Sequence, residues 1–328
     1  MEAKAPDISI LIVSLNTREY LAQCLAAIPR AAEGLTIETI VVDNGSTDGT
    51  QAMLAREFPH VRLIQSPENL GFGRANNVGA RAGAGRTLLL LNSDCNLQPG
   101  ALVTMLHALD QDPALGGVFC RLLNSDGSLQ PSVHRSLPSP WSQAGDLFFL
   151  SSLRYAVYRN AALHPWLLRR SIRLHSLAQN VAWGGAACML ISRGTFEAVG
   201  GFDERFFMYC EDMDLCKRIL DAGYRLRYIP EASAVHHWGK STAQQPAPML
   251  REAYRSRLYY FQKHCPVWQA RVVRWIALGE LFIRRHALWL LAIFPSAHRR
   301  SFQHRAVASA ACLEDLRKGS FESQRRAP

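Results

Sequence analysis

Two groups of carboxylates in this chain have the residue types and the positions that group-transfer chemistry requires. Asp94 follows an apolar run at 87–91, and an acidic cluster lies far downstream at 211–214. A carboxylate at the end of a buried strand can hold a divalent cation against phosphate groups. A second carboxylate can take the proton from an incoming hydroxyl group. Together the two groups predict an enzyme that transfers a phosphate-activated group.

The elements around Asp94 are predicted to form a parallel sheet, because residues 8–108 alternate short β-rich runs with helical patterns. Strands are expected at 8–14, 37–42, 61–64 and 87–91. The helices between them are expected to end near residues 28, 57 and 84. The run Asn16-Thr17-Arg18-Glu19 has the form of a capping box and predicts the start of the first helix.

Polar residues follow three of these strands, at Asn16, at Asp43 and at 92–94. The carboxyl ends of parallel strands meet at one edge of a sheet, where open α/β sheets bind ligands. We therefore expect the three segments to line one cleft. Asp43 is placed to accept the ring N–H of a uracil or thymine base, whereas Asp48 is expected to cap the next helix.

The acidic cluster is predicted to open a helix over 211–222. The inward face of that helix is formed by Leu215, Cys216 and Ile219. Asp212 shares the inward face, where a carboxylate needs a polar partner or a chemical task. Glu211 and Asp214 share another face with Arg218. For Asp214 a surface ion pair and a functional role both remain open.

Two further segments suggest ligand contacts. His236 and His237 end a predicted strand at 228–235, and only one of them can point into the cleft to complete a metal shell. Trp183 precedes Gly184 and Gly185, which allow a ligand to approach the backbone closely; the alternative is the packed start of a strand.

The segment Gly71-Phe72-Gly73 is not a dinucleotide-binding motif, because Asn76 stands where the third glycine would be. A tight loop near a ligand is the better interpretation of its glycines.

Composition limits the class of protein. With 48% hydrophobic and 20% charged residues the chain is globular, and the formal charge of +10 requires an anionic partner: nucleic acid, sugar-nucleotide phosphates or acidic lipid. The 8 cysteines include no CxxC pair and predict reduced core thiols of a cytosolic protein. The short apolar run near the first residue has no secretory pattern and is expected to be a strand.

The regions outside the predicted sheet differ in character. Residues 126–179 have weak periodicity and several prolines, which predicts an excursion from the sheet. Beyond residue 250 the sequence is helical in pattern and rich in Trp, Phe and Arg. Charged residues interrupt its apolar stretch at 266–294, so it is not a clean membrane span. An imperfect amphipathic helix on an anionic bilayer and packing on the catalytic domain are the two alternatives.

Taken in order, several motifs resemble those of the family 2 glycosyltransferases, in particular their bacterial rhamnosyltransferase-like branch, over residues 6–245. These motifs are Ile8-Ser9-Ile10-Leu11-Ile12-Val13-Ser14-Leu15-Asn16, Val41-Val42-Asp43-Asn44-Gly45-Ser46-Thr47-Asp48-Gly49, Asn69-Leu70-Gly71-Phe72, Leu91-Asn92-Ser93-Asp94, Gly200-Gly201-Phe202-Asp203 and Glu211-Asp212-Met213-Asp214.

The resemblance implies an α/β protein of the GT-A fold, with a Rossmann-like, mostly parallel sheet flanked by helices and a helical C-terminal appendage. Residues 1–245 would form the glycosyltransferase domain, with a nucleotide-binding half at about 6–125 and an acceptor half at about 126–245. Residues 246–328 would form a basic, membrane-associating helical region. The reaction would invert the anomeric carbon and require Mg²⁺ or Mn²⁺.

The resemblance also implies roles for individual residues. Asp212 would be the general base, and Asp94 with His236 would hold the metal ion. The expected nucleotide-sugar contacts are Ser14, Asn16, Asp43, Asn44, Asn77, Asn92 and Ser93. The expected acceptor contacts are Trp183, Gly184, Gly185 and Glu211. Asn92 departs from the family pattern, since many relatives carry a first aspartate there.

The implied substrates are a UDP- or dTDP-linked sugar, with rhamnose the sugar suggested by the branch, and a glycan or polyprenyl-diphosphate-linked acceptor of cell-surface polysaccharide synthesis. The excursion at 126–179 would help to recruit the acceptor. The protein would work in the cytoplasm at the inner face of the membrane, without nucleic acid.

Three other classes of protein are alternatives to this interpretation, and one of them, a nucleic-acid-binding protein, is suggested only by the net charge. A sugar-phosphate nucleotidyltransferase would carry an early glycine-rich basic loop, which Ser14-Leu15-Asn16 lacks. An inactive, membrane-associated carbohydrate-binding relative would not need Asp94 and Asp212.

Overall fold

A computed structural model describes residues 5–147, 172–173, 175–237, 246–293 and 299–318. These residues divide into two compact units. The first unit contains the described residues up to 137, those of 172–207 and those of 211–237. The second contains 138–147, 208–210 and the described residues from 246 onward.

The strands alternate with helices through the first unit, as the sequence predicts. The strands are β1 Ile8–Ser14, β2 Ile37–Asp43, β3 Arg62–Gln65, β4 Thr87–Asn92, β5 Cys95–Leu97, β6 Leu115–Leu123, β7 Leu129–Gln130, β8 Val133–His134, β9 Gln179–Val181, β10 Trp183–Gly184, β11 Cys188–Ser192 and β12 Arg225–His236. The helices are α1 Arg18–Ala31, α2 Thr50–Glu57, α3 Phe72–Ala82, α4 Ala101–Asp110, α5 Pro140–Leu147, α6 Arg193–Ala198, α7 Glu211–Asp221, α8 Pro246–His264, α9 Val267–Ile293 and α10 Arg299–Lys318.

The central sheet has the order β3-β2-β1-β4-β11-β6-β12-β5. Neighbours among β3, β2, β1 and β4 are parallel, as are β6 and β12, whereas β11 runs antiparallel to β4 and β6. Short strands β7 and β9 extend it, and β8 pairs with β10 separately. The four strands predicted within 8–108 are confirmed, with ends that differ by at most one residue.

The four leucines of β4 show why this strand lies at the centre. All of them are buried, so both faces of the strand are covered, as the run of consecutive apolar residues predicts. Leu89 and Leu91 pack in the layer that holds the buried faces of α1 and α4. Leu88 and Leu90 pack in the opposite layer, with residues of α3 and α7. The strand end that carries Asp94 is therefore fixed from both sides.

The capping box predicted at the start of α1 is wrong. The Thr17 side chain accepts no capping hydrogen bond; its hydroxyl instead donates to Ser93 Oγ at 2.9 Å. The first amide of α1, Arg18 N, donates to Asp48 Oδ2 at 2.8 Å. Asp48 Oδ1 accepts from Thr50 N, the first amide of α2, at 3.1 Å, so one aspartate binds the first amides of both α1 and α2. The N-cap residue of α2 is Gly49 rather than the predicted Asp48, which acts on the helix from one residue further out.

The second unit consists of helices in its described part. Helix α9 packs against α10 and α5 through a buried apolar face that includes Val273, Ala277 and Leu281. Arg257 of α8 donates to Glu280 of α9 at 2.8 Å. None of the helices within the described ranges has both the length and the apolar character that crossing a membrane requires. The predicted helical pattern beyond residue 250 is confirmed.

The excursion predicted at 126–179 is described only in part. Its described residues contain β7, β8 and α5. Residues 148–171 and 174, which hold much of its arginine-rich sequence, lie outside the described residues. The expected recruitment of an acceptor by this segment therefore stays a prediction.

Candidate active site

The ends of β1, β2 and β4 lie side by side at the carboxyl edge of the sheet. In the parallel register Ser14 pairs with Asp43, and Val13 pairs with Asn92. A chain of hydroxyl groups crosses this edge, since Ser14 Oγ lies 3.1 Å from Thr17 Oγ1, which donates to Ser93 Oγ. The predicted convergence of the three strand-end segments is confirmed, and Thr17 is a link that sequence reasoning missed.

Asn16 fixes the loop after β1 to the loop after β2. It adopts a left-handed backbone conformation with φ of 50°, which asparagine tolerates better than most residues. Its backbone N–H donates to Ser46 Oγ at 2.9 Å, and its carboxamide oxygen accepts from Thr47 N at 2.8 Å. Asn16 therefore connects two loops at the edge of the cleft, and these contacts could not be predicted from the residues next to it in sequence.

The Asp43 carboxylate is buried at the tip of β2. It accepts hydrogen bonds from the backbone N–H and hydroxyl of Ser46 and from the side-chain amide of Gln51. An ionised carboxylate has about four acceptor positions, so these contacts orient Asp43 and leave capacity for one more donor. The arrangement is compatible with the expected contact to a nucleobase.

Asn44 connects the end of β2 with the loop before α3. Its side-chain amide donates to Asn69 Oδ1 at 3.2 Å and to the Gly71 carbonyl at 3.1 Å. Gly71 has a positive φ of 78°, and a Cβ atom at this position would collide with the Phe207 carbonyl. Gly71 was expected to allow a ligand to approach the loop closely; the structure shows that it allows the backbone of Phe207 to approach instead.

Asn77 holds the loop that precedes the acidic helix. Its amide donates to the Phe202 carbonyl at 2.9 Å, and its carbonyl oxygen accepts from Phe202 N at 2.9 Å. A second bond from the amide reaches Glu204 Oε1 at 3.1 Å. These contacts give Asn77 a structural task, and its expected contact with the nucleotide sugar stays a prediction.

Asp94 and His236 come together in the cleft from distant positions in the chain. His236 Nε2 lies 3.3 Å from Asp94 Oδ1 and 3.2 Å from Asn92 Nδ2, and both Asp94 and His236 are buried. Pairing of β5 with β12 produces this geometry, because His236 is opposite Cys95, the residue after Asp94. The predicted metal pair is therefore adjacent in space.

Gln130 orients the His236 ring, and sequence reasoning missed it. Gln130 Oε1 lies 2.7 Å from His236 Nδ1, while its amide donates to Asn124 Oδ1 at 2.9 Å and to the His236 carbonyl at 3.4 Å. With the amide committed to two acceptors, Oε1 is the atom that accepts from the His236 Nδ1–H. The Nε2 atom faces Asp94 and the side-chain amide of Asn92. No motif marks Gln130, whose position depends on the two-residue strand β7.

His237 points away from this pair. Its Nδ1 lies 2.8 Å from Ser125 Oγ, and its ring packs on Tyr20 with centroids 5.3 Å apart. Adjacent residues of a strand face opposite ways, so the placement of His236 in the cleft excludes His237 from it. The question left open by the two neighbouring histidines is thereby resolved.

Asp94 and His236 have the donor chemistry for a divalent ion. Asp94 Oδ1 and His236 Nε2 lie 3.3 Å apart, and a carboxylate oxygen and an imidazole nitrogen are both metal ligands. Among the described residues no group of three or more His, Cys, Asp or Glu side chains could hold a metal ion. The pair therefore fits an ion that completes its coordination with substrate oxygens and water.

Glu211 and Asp212 begin α7 and differ in burial. Glu211 is buried, whereas Asp212, predicted to share the inward face, is only partly buried, so that part of the prediction is wrong. Asp212 accepts from Met213 N at 2.7 Å and from the Ala186 backbone N–H. Burial of its carboxyl group raises its pKa above the ordinary value, and these two bonds offset part of the rise. Burial and then the charge of Asp212 raise the pKa of Glu211 well above its usual value. A carboxylate with a raised pKa is a stronger base, as proton abstraction requires.

The segment around Ala186 links this acid to the metal pair. Ala186 N–H bonds to Asp212, and the next residue, Ala187, accepts from Asn92 N at 3.0 Å. Two consecutive residues thus contact the base candidate and the strand end beside Asp94. A Cβ atom on Gly185 would lie 3.8 Å from Asp212 Oδ2, so the glycine leaves the approach to that carboxylate open.

Trp183 and Gly184 shape the neighbouring wall. The Trp183 ring stacks on His134 with centroids 4.0 Å apart and 9° between planes, and its Nε1 donates to the Ser136 carbonyl at 3.1 Å. A Cβ atom on Gly184 would press on Phe119 at 3.0 Å, so its small size serves packing. Of the expected acceptor residues, Gly185 and Glu211 lie beside Asp212.

Asp214 forms the predicted ion pair with Arg218, but the pair is not at the surface. Arg218 Nε donates to Asp214 Oδ2 at 2.8 Å as the helical spacing predicts, but Asp214 is fully buried. Arg218 also donates to the carbonyls of Val199 at 2.6 Å and Gly201 at 2.7 Å. The pair therefore fixes the loop before α7. The helical spacing of the residues could not predict the burial of Asp214, because the covering loop comes from the residues before α7.

The family model described as "Glycosyl transferase family 2" matches residues 9–200, which is more than half of the chain. The chain belongs to glycosyl transferase family 2. The matched range covers Asp43 and Asp94 but ends before Asp212 and His236. The placement of these two residues in the site is therefore based on their geometry and on a relative whose alignment covers 89% of the chain.

Two relatives match most of the chain. The N-acetylglucosaminyl-diphospho-decaprenol L-rhamnosyltransferase of Mycobacterium tuberculosis is 31% identical over 89% of this chain and 95% of its own length. The rhamnosyltransferase WbbL of Escherichia coli is 28% identical over 70% of this chain and 82% of its own length. The family and these relatives establish that the chain is a glycosyltransferase that uses a nucleotide sugar.

Solved structures establish the fold. The mannosyltransferase PcManGT from Pyrobaculum calidifontis, in complex with GDP-Man and Mn²⁺, has a TM-score of 0.55 and 17% identity, with 96% of this chain and 88% of that chain covered. GalNAc-T7 with UDP, GalNAc and Mn²⁺ has a TM-score of 0.53 and 15% identity, with 78% of this chain and 48% of that chain covered. The predicted GT-A fold is confirmed.

Proposed function

We propose that this protein transfers a rhamnosyl group, with inversion at the anomeric carbon, from a UDP- or dTDP-linked sugar to N-acetylglucosamine carried on a polyprenyl diphosphate. The M. tuberculosis relative is named for that acceptor and sugar, and the chain matches 95% of its length. The observation that carries the proposal is the link through Ala186 and Ala187 between Asp212 and the strand end beside Asp94. This link supports the proposal because it connects the candidate base with the carboxylate expected beside the donor phosphates.

The donor would bind along the carboxyl edge of β1, β2 and β4. Asp43, held by Ser46 and Gln51, would accept the N3–H of a uracil or thymine base. The loops after β1 and β2, joined through Asn16, would form the floor beneath the ribose. Asn44 and the hydroxyls of Ser14 and Ser93 would supply the remaining polar contacts.

Asp94 and His236 would hold a Mg²⁺ or Mn²⁺ ion beside the donor diphosphate. Such an ion offsets the negative charge that develops on the leaving nucleoside diphosphate. Gln130, which lies 2.7 Å from His236 Nδ1, would orient the ring so that Nε2 could serve as a ligand of the ion. Asn92, the neutral residue at the position where many relatives carry an aspartate, would donate to a phosphate oxygen.

Asp212 would act as the general base. Its carboxylate would take the proton of the acceptor hydroxyl while that oxygen attacks C1 from the face opposite the diphosphate. Gly185 leaves room for the acceptor at this carboxylate, and the stacked pair of Trp183 and His134 offers an apolar face for a sugar ring.

A polyprenyl-linked acceptor lies in a membrane, so the protein would act as a peripheral protein at the cytoplasmic surface of the bilayer. The proposal does not need a membrane-spanning helix, because the sugar to be modified projects into water from the lipid diphosphate.

A donor and acceptor panel tests this proposal. The purified full-length protein would be incubated with Mg²⁺ or Mn²⁺, dTDP- and UDP-linked sugars that include rhamnose, and a short-chain, water-soluble prenyl-diphosphate N-acetylglucosamine. We expect nucleoside diphosphate release with a rhamnosyl donor only when the acceptor is present, and a product of inverted anomeric configuration by NMR. Transfer of a different sugar, or transfer without this acceptor, would contradict it.

A further inference from the structure

Helix α9 exposes a row of large aromatic side chains that packing does not explain. Their exposed fractions are 56% for Trp268, 72% for Trp275, 50% for Phe282 and 60% for Trp289. The four residues are spaced by seven, and seven residues turn an α-helix about 20° short of two full turns. The row therefore runs along one side of the helix, and we refer to these four residues as the aromatic stripe.

The stripe lies opposite the face by which α9 packs in its own unit. The buried residues Val273, Ala277 and Leu281 lie roughly half a turn away on the helix. Leu290 and Ile293, with exposed fractions of 61% and 62%, extend the apolar surface at the C-terminal end. A helix that only covers a domain core is polar on its outer face, whereas α9 is apolar on both faces.

The charge of the chain is concentrated in the same region. Residues 1–245 contain 22 Lys and Arg and 22 Asp and Glu, so they contribute nothing to the net charge of +10. Residues 246–318 contain 13 Lys and Arg against 4 Asp and Glu. The acidic residue of α9, Glu280, is paired with Arg257. The region that carries the stripe is therefore cationic, and the exposed Arg271 lies on the side of α9 that carries Trp268 and Trp275, which favours an anionic partner.

Aromatic residues on a cationic helix match the chemistry of a lipid–water interface. Tryptophan and phenylalanine rings partition into the zone between headgroups and acyl chains, and arginines beside them attract anionic headgroups. At 1.5 Å per residue, α9 could lie along about 40 Å of membrane surface. We propose that the aromatic stripe of α9 docks this protein on an anionic lipid bilayer, with the helix in the plane of the interface.

A second copy of the chain is a less suitable occupant. A coiled coil needs apolar residues at two positions of each heptad. Three residues after Trp268 and after Phe282 stand Arg271 and Arg285, which would face like charges across a parallel dimer. The charge that disfavours a second copy is the charge that favours an anionic bilayer.

Vesicle flotation with the full-length protein tests the docking surface. The vesicles would be phosphatidylcholine alone or phosphatidylcholine with phosphatidylglycerol, at low and high salt. We expect flotation with the anionic vesicles that weakens as salt rises. The double variant Trp275→Ser/Phe282→Ser should lower the bound-to-free ratio about tenfold or more, because both exposed rings lose their apolar contact.

Two controls separate docking from loss of folding. Val103→Ser replaces an apolar residue of α4 that is 39% exposed in the first unit and should leave flotation unchanged. The midpoint of thermal denaturation of the double variant should match that of the wild type, because Trp275 and Phe282 are 72% and 50% exposed. Equal flotation of the double variant and wild type would overturn the inference. A stripe-dependent dimer by light scattering, with no vesicle binding, would assign the surface to a second copy.

The inference rests on the proposed function in one respect, that the acceptor is a membrane lipid. The double variant should therefore lose transfer to a long-chain acceptor in anionic vesicles and keep transfer to the short-chain, water-soluble acceptor. Loss of both activities in a folded variant would contradict a role limited to docking. If the wild type transfers rhamnose to neither acceptor but still floats through the stripe, the proposed function fails and the docking surface stands.

Discussion

The two units of this protein differ in where their unusual residues are placed. The first unit buries polar residues at strand ends, where Ser46 holds Asp43, and Gln130 holds His236 beside Asp94. The second exposes aromatic residues along α9, and its sequence region contributes nearly all of the net charge. Buried polar groups need partners or a chemical task, and exposed apolar groups need a surface. Under the two proposals, catalysis and docking therefore belong to different parts of the chain.

The largest expected effect concerns the base in the first unit. Asp212→Asn preserves shape and removes basicity, so single-turnover transfer at saturating donor should fall roughly 10²-fold or more. Donor affinity by calorimetry should persist. In the wild type, the raised pKa of Asp212 means that transfer should decline on acidification at a higher pH than for an aspartate with the ordinary value of 3.8. Near-normal transfer by Asp212→Asn would remove this residue from the chemistry.

The next effect concerns metal-supported binding. Asp94→Ala removes the carboxylate beside His236, and no equivalent anionic ligand remains at the end of β4. Titration calorimetry with a nucleoside diphosphate should show that Mn²⁺ strengthens binding to the wild type but not to the variant, with a difference of about tenfold or more. His237→Ala, which alters the neighbouring ring outside the cleft, should keep the Mn²⁺ dependence. An unchanged response of Asp94→Ala would place the ion elsewhere.

A third change separates stability from chemistry on α7. Asp214→Asn leaves the Arg218 guanidinium without its buried partner, which typically costs about 3 to 5 kcal/mol of unfolding free energy. We expect a large drop in the denaturation midpoint and, at a temperature where the variant is folded, much less loss of transfer than in Asp212→Asn. A folded Asp214→Asn variant that is inactive, beside an active Asp212→Asn, would show that the catalytic carboxylate had been misassigned.

The smallest effect has the opposite sign. Burial and the charge of Asp212 raise the pKa of Glu211. At a pH above the ordinary pKa of 4.5, ionisation of Glu211 therefore lowers the free energy of unfolding. Glu211→Gln removes that penalty, and Tm at neutral pH should rise by about 2 to 4 °C for each kcal/mol relieved. The gain in Tm should vanish at a pH below 4.5, where Glu211 is protonated in both the folded and the unfolded protein. A lower Tm at neutral pH would contradict the proposed burial of charge.

The parts of the first unit that could be predicted are those set by chain topology. Apolar runs separated by helices indicated a parallel sheet, and a parallel sheet places Asn16, Asp43 and Asp94 at one edge. Contacts across loops were not predictable in this way. Gln130 orients His236 from a two-residue strand, and Asp48 caps α1 from thirty residues away in sequence.

The helices show a different limit of sequence reasoning. A helical wheel predicted the pairing of Asp214 with Arg218 but not its burial, because the covering loop comes from the residues before α7. For α9 the sequence showed arginines within an apolar stretch. It did not show which of two apolar faces would pack, so the outward row of aromatic residues emerged only from the structure.

One crossed experiment tests the division between the two units most directly. Asp212→Asn and Trp275→Ser/Phe282→Ser would each be measured for flotation with anionic vesicles and for transfer to the water-soluble acceptor. We predict that Asp212→Asn floats like the wild type and does not transfer, and that the stripe variant transfers like the wild type and does not float. A folded variant that loses both properties together would contradict the assignment of catalysis and docking to separate units.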